Sequence, residues 1–371
     1  MSPLKVLHVI YDHPDNPWVG GGGALRAFEI YRRLAGRIDV EIASGRFPGS
    51  RDGARDGVRY RFFGAPGPYA LSRLSYAAEA NRLLRCAVYD AAIFDLSVYT
   101  PVFAPRDRPV GVTVHHVTGR RLEERWGRRL GTGMRTLERT MIRRARRLAA
   151  TSHATVDAIA ALGEPGSPID VVGAGVSDEL FSIVRSERDY VLYVGRLDVE
   201  HKGLDTLVRA FRDVAELRPW LRLVIAGRGR DEARVRAMVA EEGLGARVTI
   251  AGPVSDGERN ALFAGALVQI MPSRFEGFGM VAAEALAAGV PLVATSVGSL
   301  PEVVRGAALL VPPDDPDALA AAMSRLLDDE GERARAATHG REVARSHDWS
   351  VVADAHAAFV ERVATEGGQP R

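Results

Sequence analysis

The stretch YVLYVGRLDVEHKGLDTL, residues 190–207, decides the fold class of this 371-residue chain. Its first five residues are apolar and β-prone, which is typical of a strand buried on both faces of a parallel sheet. Gly195 follows the strand, and a helical pattern begins at about Asp205. Arg196 and Lys202 are therefore expected in a loop at the carboxyl end of a parallel strand, which is where open α/β sheets bind ligands.

The pattern of strand, loop and helix extends along the whole chain. Near the amino terminus, residues 5–10 predict a strand and residues 24–34 predict a helix, with a glycine-rich loop between them. Further apolar strands are predicted at residues 40–43, 60–63, 91–94, 110–114 and 148–150, and in the second half at 221–226, 248–251, 267–271, 291–294 and 308–311. This alternation indicates an α/β protein with two doubly wound parallel sheets.

The length of the chain indicates two domains, each large enough to bury its own core. We predict a first domain at residues 1–170 and a second at residues 187–348, with a linker rich in Gly, Pro and Ser at residues 165–186. The last helical pattern, residues 351–363, follows the second sheet. We expect the segment 349–371 to cross back onto the first domain.

The composition is ordinary for a soluble globular protein, with 46% hydrophobic and 26% charged residues. No apolar run approaches the roughly 18 residues needed to span a bilayer. The apolar run after Lys5 is too short for a signal peptide, so we expect a cytoplasmic location. Cys86 is the only cysteine, which excludes an internal disulfide. Lysine occurs only at positions 5 and 202, so Lys202 stands out in an arginine-rich chain.

The cations of the first stretch suit a diphosphate. Arginine can bind two oxygens at once, while lysine provides a mobile point charge. Arg196 and Lys202 are thus candidate ligands for a nucleoside diphosphate. Two solvated surface charges are the alternative interpretation.

A second candidate stretch is PSRFEGFGM, residues 272–280, which leads into a helical pattern at residues 281–288. Its glycines allow a ligand close to the backbone, and free amides at a helix start favour an anion or a sugar hydroxyl. Glu276 lies in the loop, and Glu284 is expected one turn inside an alanine-rich helix. A buried carboxylate needs hydrogen-bond donors, and ribose hydroxyls would serve. The alternative for Glu284 is a position facing solvent.

At these residues the chain resembles glycosyltransferase family 4 and the related glycogen-synthase-like enzymes of the GT-B fold. The resemblance covers most of the second half, and its motifs are Gly195-Arg196-Leu197 with Lys202-Gly203, residues 225–229, Glu276-Gly277-Phe278-Gly279 with Glu284, residues 288–294, Gly298, and residues 301–304. The resemblance implies two Rossmann-like domains that face a central cleft.

The resemblance also implies roles for particular residues. Arg196 and Lys202 would hold the donor diphosphate, and Glu284 would hold the ribose. Glu276 would hold the transferred sugar together with the backbone amides of Gly277, Phe278, Gly279 and Met280. Val254, in the loop at residues 252–255, would face the base through its backbone.

The glycines at residues 20–23 do not form the dinucleotide-binding fingerprint G-x-G-x-x-G, because they end a loop instead of following the strand directly. A nicotinamide dehydrogenase is therefore disfavoured. In the resembled family a Gly-Gly pair before the first helix approaches the donor phosphate and the acceptor, which points to Gly22 and Gly23. A merely flexible glycine loop is the alternative.

His115 and His116 end the predicted strand 110–114 at the ligand-facing edge of the sheet. The resembled family often has a histidine here, near the transferred sugar, and His115 is the better match. The sequence alone does not separate the two, and a core or capping role is as well supported. An asparagine that commonly precedes the Gly-Val of that family is absent at Gly175-Val176.

These features and the resemblance predict a glycosyltransferase that uses a UDP- or GDP-linked sugar and an acceptor hydroxyl in a glycan, a glycolipid or a glycosylated metabolite. The resemblance implies that the reaction retains the anomeric configuration. The cations and the helix start would stabilise the leaving diphosphate, so neither a metal nor another cofactor is expected. The Asp-x-Asp at Asp315 and Asp317 lies in a Pro-rich loop and is better explained as a helix cap. Alternatives are a sugar-nucleotide epimerase of the same architecture and an Arg-rich nucleic-acid binder, although we expect no nucleic-acid partner.

The arginine-rich stretch at residues 119–148 carries one apolar stripe, which Gly131 and Gly133 are expected to break into two helices. The first piece, residues 120–130, contains Trp126. A basic amphipathic helix with a tryptophan can lie on the inner face of an anionic membrane, beside a lipid-linked acceptor. A solvated arginine face over an ordinary core is the alternative.

Overall fold

A computed structural model describes residues 3–18, 21–163 and 168–366 of the chain. The chain divides into two compact units. The first unit comprises Met1–Ala174 and Trp349–Arg371, and the second comprises Gly175–Asp348. Gly20, one of the glycines of the first loop, lies outside the described residues.

The first unit is built on an eight-stranded sheet in the described part of the chain. Its strands are β1 (Leu4–Val9), β2 (Ile38–Gly45), β3 (Gly53–Arg55), β4 (Val58–Phe63), β5 (Ala91–Asp95), β6 (Val110–Val114), β7 (Arg147–Ala150) and β8 (Ile169–Val171). They are ordered β3-β4-β2-β1-β5-β6-β7-β8, and all neighbours are parallel except β3 with β4. The predicted strands are confirmed. The short strands β3 and β8 are additional to them.

The second unit contains a fully parallel sheet of six strands among the described residues. Its strands are β9 (Tyr190–Val194), β10 (Arg222–Ala226), β11 (Val248–Gly252), β12 (Val268–Met271), β13 (Leu292–Thr295) and β14 (Ala308–Val311). Their order, β11-β10-β9-β12-β13-β14, is the doubly wound order, with a switch point between β9 and β12. The predicted fold class is therefore confirmed.

Helices cover the sheets of both units. Those of the first unit are α1 (Gly22–Arg33), α2 (Tyr69–Cys86), α3 (Arg121–Trp126), α4 (Arg128–Arg144) and α5 (His153–Ala160). Those of the second are α6 (Asp178–Phe181), α7 (Val199–Lys202), α8 (Leu204–Leu217), α9 (Glu232–Glu241), α10 (Asp256–Gly265), α11 (Met280–Ala287), α12 (Leu300–Val304), α13 (Pro316–Asp328) and α14 (Glu330–Ala344). A 3₁₀ turn (Arg345–His347) follows, and the last helix is α15 (Trp349–Glu366).

The second sheet is buried on both faces, which explains why its strands are continuous apolar runs. Val191 and Tyr193 of β9 pack in one core with helix α8, whereas Leu192 packs in another core with α11. Successive side chains of a strand point to opposite faces, so one five-residue strand serves both cores.

Helix α15 packs on the first unit, as the sequence predicts, although it follows the second sheet along the chain. It contacts α1, β5 and β6. A Cβ on Gly111 of β6 would lie 2.7 Å from Cζ of Phe359 and 2.8 Å from Cγ2 of Val363, both on α15. The missing side chain therefore allows α15 to lie directly on the strand.

The arginine-rich stretch forms two helices, but the predicted position of the break is wrong. Helix α3 ends before Gly127, which has a φ of 77°, and both Gly131 and Gly133 lie inside α4. A Cβ on Gly131 would lie 2.3 Å from Cα of Glu123. Gly131 thus lies at the contact between α3 and α4. In the amino-acid sequence, a glycine at such a contact looks the same as a glycine that breaks a helix.

The predicted apolar stripe of this stretch is only partly buried. Leu122, Met141, Ala145 and Leu148 are buried, whereas Trp126 is 44% exposed and Leu130 is 56% exposed. No helix among the residues that the structure describes is long and apolar enough to cross a bilayer.

Candidate functional site

Lys202 and Glu276, which are 74 positions apart, form an ion pair in the second unit. Lys202 ends α7, after β9, and Glu276 lies in the loop after β12. These two strands flank the switch point of the sheet, so their loops emerge side by side. Nζ of Lys202 donates to Oε2 of Glu276 at 2.6 Å, and Oγ of Ser273 donates to the same oxygen at 3.3 Å. The structure therefore brings together two residues that the sequence singled out.

Glycines hold the loop of Glu276 in place by close backbone contact. Gly203 has a φ of 62°, and a Cβ there would lie 2.1 Å from the carbonyl oxygen of Pro272. Gly298 has a φ of 52°, and a Cβ there would lie 2.2 Å from the carbonyl oxygen of Glu276. Only glycine fits both the left-handed backbone and the contact at either position. The loop is thus fixed from two sides by backbone.

Helix α7 is an additional turn of helix ahead of α8, where the sequence predicted a single helix starting at about Asp205. Asp198 caps α7 by accepting from the backbone N–H of His201 at 3.1 Å, and its carboxylate lies 3.0 Å from Nδ1 of the same histidine. Burial would raise the pKa of Asp198, but these contacts and Arg230 hold it well below its usual range. The turn positions Lys202 at the site.

Arg196 lies after β9, from which Gly195 separates it, and its side chain is exposed. Its carbonyl oxygen accepts from the hydroxyl of Tyr193 at 2.8 Å, which fixes the backbone. Among the described residues, no carboxylate forms an ion pair with the Arg196 guanidinium. The side chain is therefore available to an anionic ligand.

Glu284 lies in α11 and is only 8% exposed. Its nearest cation is Arg259, whose Nη1 lies 3.6 Å from Oε1 of Glu284 and 3.0 Å from Oδ1 of Asp256. No group of the described residues donates a hydrogen bond to the Glu284 carboxylate. Burial raises the pKa of Glu284, which the charge of Arg259 opposes. The prediction that this carboxylate is buried is confirmed.

The start of α11 combines the other predicted donor-binding residues. Gly279 precedes the helix with a φ of 92°, and no side chain of the described residues caps it. The carbonyl oxygen of Phe278 accepts from Oγ of Ser299 at 2.7 Å, so this turn is held from the side. Gly277 and Met280 flank it. Amides at such a helix start favour an anion.

Two further predictions concern loops of the second unit. Val254 is half-buried and precedes Ser255, which caps α10 in a capping box with Glu258. Asp315 accepts from the backbone N–H of Ala318 at 2.9 Å, which confirms its predicted role as a helix cap.

The first unit brings His115 against Gly23. His115 follows β6, and a Cβ on Gly23 would lie 3.3 Å from its Nε2, so the glycine gives the ring its space. Gly22, the other predicted glycine, begins α1. His115 is half-buried, whereas His116 is exposed.

Asp95, which was not among the residues predicted from the sequence, contacts the imidazole of His115. It ends β5, the strand beside β6, and its Oδ2 lies 2.7 Å from Nε2 of His115. Its Oδ1 lies 3.3 Å from Nε2 of His8 on β1. Burial would raise the pKa of Asp95, but the two imidazoles outweigh burial and hold it well below its usual range. Its position at the end of a predicted strand was the available signal.

Two doubly wound units define a broad class of α/β proteins. The order of the strands and the motifs in the loops are those of the GT-B fold. Two family models match the chain: Glycosyltransferase Family 4 over residues 20–180, and Glycosyl transferases group 1 over residues 178–343. The chain belongs to glycosyltransferase family 4.

Curated relatives agree with this family. A phosphatidyl-myo-inositol mannosyltransferase of Mycobacterium leprae is 37% identical over 182 residues, which cover 48% of each chain. An MMP alpha-(1->4)-mannosyltransferase of Mycolicibacterium hassiacum is 32% identical over 271 residues, which cover 68% of this chain and 65% of the relative. The matched segments thus span about half to two thirds of the relatives' length.

Solved structures show the same fold over nearly the whole chain. Sucrose-phosphate synthase of Thermosynechococcus elongatus has a TM-score of 0.81 at 20% identity, covering 98% of this chain and 100% of that one. Anabaena HepE in complex with UDP and glucose has a TM-score of 0.73 at 17% identity, covering 97% and 100%.

Proposed function

We propose that this protein is a retaining, metal-independent glycosyltransferase that transfers a sugar from a UDP- or GDP-linked donor to an acceptor hydroxyl. The family and the curated relatives support a transferase of this kind, and the names of two relatives indicate mannose as a donor sugar. The UDP and glucose bound to the Anabaena protein support a nucleotide-sugar donor of the same general form.

The observation that carries the proposal is the ion pair between Lys202 and Glu276 at the switch point of the second sheet. A cation suited to a diphosphate stands 2.6 Å from a carboxylate suited to sugar hydroxyls. A nucleotide sugar carries both groups next to each other, since the diphosphate is bonded to the anomeric carbon. Its binding would give each member of the pair a ligand of its own.

Glu284 supports the nucleoside part of the donor. Its carboxylate is buried, its pKa is raised by burial, and Arg259 at 3.6 Å is its nearest cation. The two hydroxyls of a ribose can donate to both oxygens of one carboxylate. Such a ligand would supply the hydrogen bonds that burial demands.

The reaction joins the acceptor oxygen to the anomeric carbon while the bond from that carbon to the diphosphate oxygen breaks. The leaving nucleoside diphosphate takes the bonding electrons, and the proton of the acceptor hydroxyl is released. Lys202, Arg196 and the start of α11 would stabilise the developing negative charge electrostatically. We assign His115 and Gly23 of the first unit to the reacting sugar and the acceptor.

Lys202→Ala tests the diphosphate role most directly. Since it removes a charge-assisted contact that strengthens as the leaving group forms, turnover of UDP-glucose or GDP-mannose should fall about tenfold or more. Lys5→Ala is the matched control, because Lys5 is the other lysine of the chain and is exposed. Normal turnover by the Lys202→Ala protein would contradict the role of Lys202 in binding the diphosphate.

The two glutamates should separate kinetically. Glu284→Gln should weaken binding of free UDP or GDP, whereas Glu276→Gln should mainly lower turnover of the sugar donor. Isothermal titration with the free diphosphates and steady-state rates distinguish the effects. Equal affinity of Glu284→Gln and the wild type for the diphosphate contradicts the ribose role.

Two measurements test the remaining features of the reaction. Chelator should leave the rate unchanged, and strong inhibition by it overturns the metal-independent reaction. The anomeric configuration of the product, measured by NMR, should match that of the donor. Release of nucleoside diphosphate that needs no acceptor and accompanies isomerisation of the donor sugar would favour an epimerase instead.

The acceptor is proposed to be lipid-linked, with the protein bound peripherally to an anionic membrane through residues 120–130. Trp126 and Leu130 are exposed there, beside the exposed Arg125, Arg128 and Arg129. An apolar residue flanked by arginines suits the interface of an anionic bilayer.

Co-sedimentation with phosphatidylglycerol vesicles at low salt tests this part. Trp126→Ala should reduce binding, and added salt should weaken it. Trp220→Ala is the matched control, since Trp220 of the second unit is 48% exposed. Failure of the wild type to bind anionic vesicles favours a soluble acceptor.

A further inference from the structure

A group of buried polar side chains connects to His115 in the interior of the first unit. Its members come from four separate elements: His8 from β1, Tyr31 from α1, Asp95 from β5 and His356 from α15. His8, Tyr31 and His356 are each at most 1% exposed. Burying so many polar groups is costly unless each has a partner, so their contacts need an explanation.

The contacts link these side chains into one network, which we call the histidine network (His115, Asp95, His8, Tyr31 and His356). Nε2 of His115 lies 2.7 Å from Oδ2 of Asp95, and Nε2 of His8 lies 3.3 Å from Oδ1. Nδ1 of His8 lies 3.0 Å from the hydroxyl of Tyr31, which also lies 3.0 Å from Nε2 of His356. The histidine network thus extends from the half-buried His115 to the fully buried His356 of the last helix.

The charge on Asp95 decides where the protons lie. Its pKa is held well below its usual range, because the two imidazoles outweigh burial, so it is an anion at neutral pH. A carboxylate only accepts hydrogen bonds, so Nε2 of His115, which lies 2.7 Å from it, carries a proton. Nε2 of His8 lies 3.3 Å from the other oxygen without hydrogen-bond geometry, and the negative charge of Asp95 favours a proton there as well. The buried Arg26, which lies close enough to influence Asp95, supplies a balancing positive charge.

When each imidazole carries a single proton, the positions of the remaining protons are fixed as well. His8 has its proton on Nε2, so its Nδ1 accepts from the hydroxyl of Tyr31. Burial raises the pKa of Tyr31 well above its usual value, so that proton stays on the phenol. The phenol oxygen then accepts from Nε2 of His356, whose pKa is lowered well below its usual value by burial and by Arg26. One proton assignment is consistent with these contacts, and it leaves Nδ1 of His356 without a partner among the described residues.

The proton assignment determines what His115, at the exposed end of the histidine network, can bind. With its proton on Nε2, a neutral His115 has a lone pair on Nδ1. Among the described residues, none forms a hydrogen bond with Nδ1 of His115. That atom is therefore available as a hydrogen-bond acceptor.

We propose that Asp95, supported by His8, Tyr31 and His356, is a positioning residue that fixes His115 with its proton on Nε2 and its Nδ1 free to accept from a substrate hydroxyl. This inference rests on the proposed function for the identity of the substrate. It makes the last helix, through His356, part of the support of a residue at the ends of the first sheet.

The direct test is the tautomer of His115, measured by long-range ¹H–¹⁵N correlation on ¹⁵N-histidine-labelled full-length protein. The signal is assigned by its loss in His115→Gln. A neutral His115 protonated on Nε2 is expected, and protonation on Nδ1 overturns the proposal. This readout needs no substrate, so it stands even if neither UDP-glucose nor GDP-mannose is turned over, an outcome that counts against the proposed function alone.

A pair of tyrosine variants separates positioning from packing. Tyr31→Phe removes only the hydroxyl that links His8 to His356. Tyr76→Phe is the matched control, because Tyr76 is equally buried in the same unit. Its hydroxyl donates to the carbonyl oxygen of Ala43, which is not part of the histidine network.

Tyr31→Phe should lower kcat for UDP-glucose or GDP-mannose about threefold to tenfold, whereas Tyr76→Phe should not, at a similar loss of stability. Asp95→Asn should lower kcat more than tenfold with KM changed little, and binding of UDP or GDP by the second unit should be unchanged. Equal kcat values for both tyrosine variants overturn the proposal. That comparison stays decisive if Asp95→Asn fails to fold.

Discussion

Asp95 in the first unit and Glu284 in the second are both buried carboxylates, yet their pKa values move in opposite directions. The pKa of Asp95 is held well below its usual range, because two imidazoles outweigh burial. The pKa of Glu284 is raised, because burial outweighs the charge of Arg259. The same chemical group thus faces two imidazoles in the first unit and one guanidinium in the second.

The contacts explain the difference. Both oxygens of Asp95 face a histidine nitrogen, at 2.7 and 3.3 Å. Within the described ranges, Glu284 forms an ion pair only with Arg259, at 3.6 Å, and Arg259 lies closer to Asp256. A carboxylate that is buried between two imidazoles orients its neighbours, whereas one without a hydrogen-bond donor among the described residues has unused capacity for a ligand. The comparison therefore separates a positioning group from a binding group on physical grounds.

The largest expected effect that tests this comparison is on stability. Asp95→Asn should lower the free energy of unfolding by about 3 kcal/mol, because it removes the charge that the surrounding histidines and Arg26 accommodate. Urea denaturation at pH 7.5 measures it. The control is Asp107→Asn, at an exposed carboxylate between β5 and β6. A loss no greater than that of the control would show that the negative charge of Asp95 does not stabilise the groups around it.

A smaller effect is expected at the ion pair of the second unit. Glu276→Gln should tighten binding of free UDP or GDP about threefold to tenfold, because Lys202 loses its competing carboxylate and a negative charge leaves the diphosphate site. Titration calorimetry measures it. Glu200→Gln, an exposed carboxylate of the same α7, should change the affinity much less. Weaker binding by Glu276→Gln would mean that the carboxylate helps to hold the diphosphate.

The smallest expected effect is the change in stability caused by Glu284→Gln, which should be opposite in sign to that of Asp95→Asn. Glu284→Gln should raise the free energy of unfolding, without nucleotide, by up to about 1 kcal/mol at pH 7.5. A carboxyl group whose folded pKa is raised favours folding below its unfolded pKa and loses that contribution as pH rises through the folded pKa. The ionised Glu284 therefore costs stability at neutral pH. Denaturation at several pH values measures this cost.

The advantage of Glu284→Gln should shrink as pH falls toward about 4.5, the unfolded pKa of a glutamate. Glu216→Gln, at an exposed position of α8, is the control and should show no such trend. A destabilised Glu284→Gln at neutral pH would indicate that the ion pair with Arg259 outweighs the cost of burial.

Much of the fold could be predicted, because the strands of a doubly wound sheet are short apolar runs between turns. The two missed strands, β3 and β8, have three residues each and no buried apolar pattern, so they are defined only by pairing with β4 and β7. The break in the arginine-rich stretch was misplaced for a related reason. Gly131 serves a contact between helices, and such a contact has no local signal.

The candidate site was predicted in part. Lys202, Glu276 and Glu284 were selected from their loops and helix, and the structure brings the first two together. Asp95 and Arg259 were missed, since an acid at a strand end and an arginine in a first helical turn are common features of α/β proteins. Their importance lies in partners at distant positions of the chain.

The sequence by itself determined the family, the two parallel sheets and the loops that carry Arg196 and Lys202, because these depend on local periodicity and on motifs of short range. Tertiary structure alone decided which charges meet. It placed Lys202 against Glu276, and it joined His115 to His356 of the last helix through Asp95, His8 and Tyr31. The pKa of a buried carboxylate depends on neighbours within a few ångströms, and those neighbours come from strands and helices far apart in the chain.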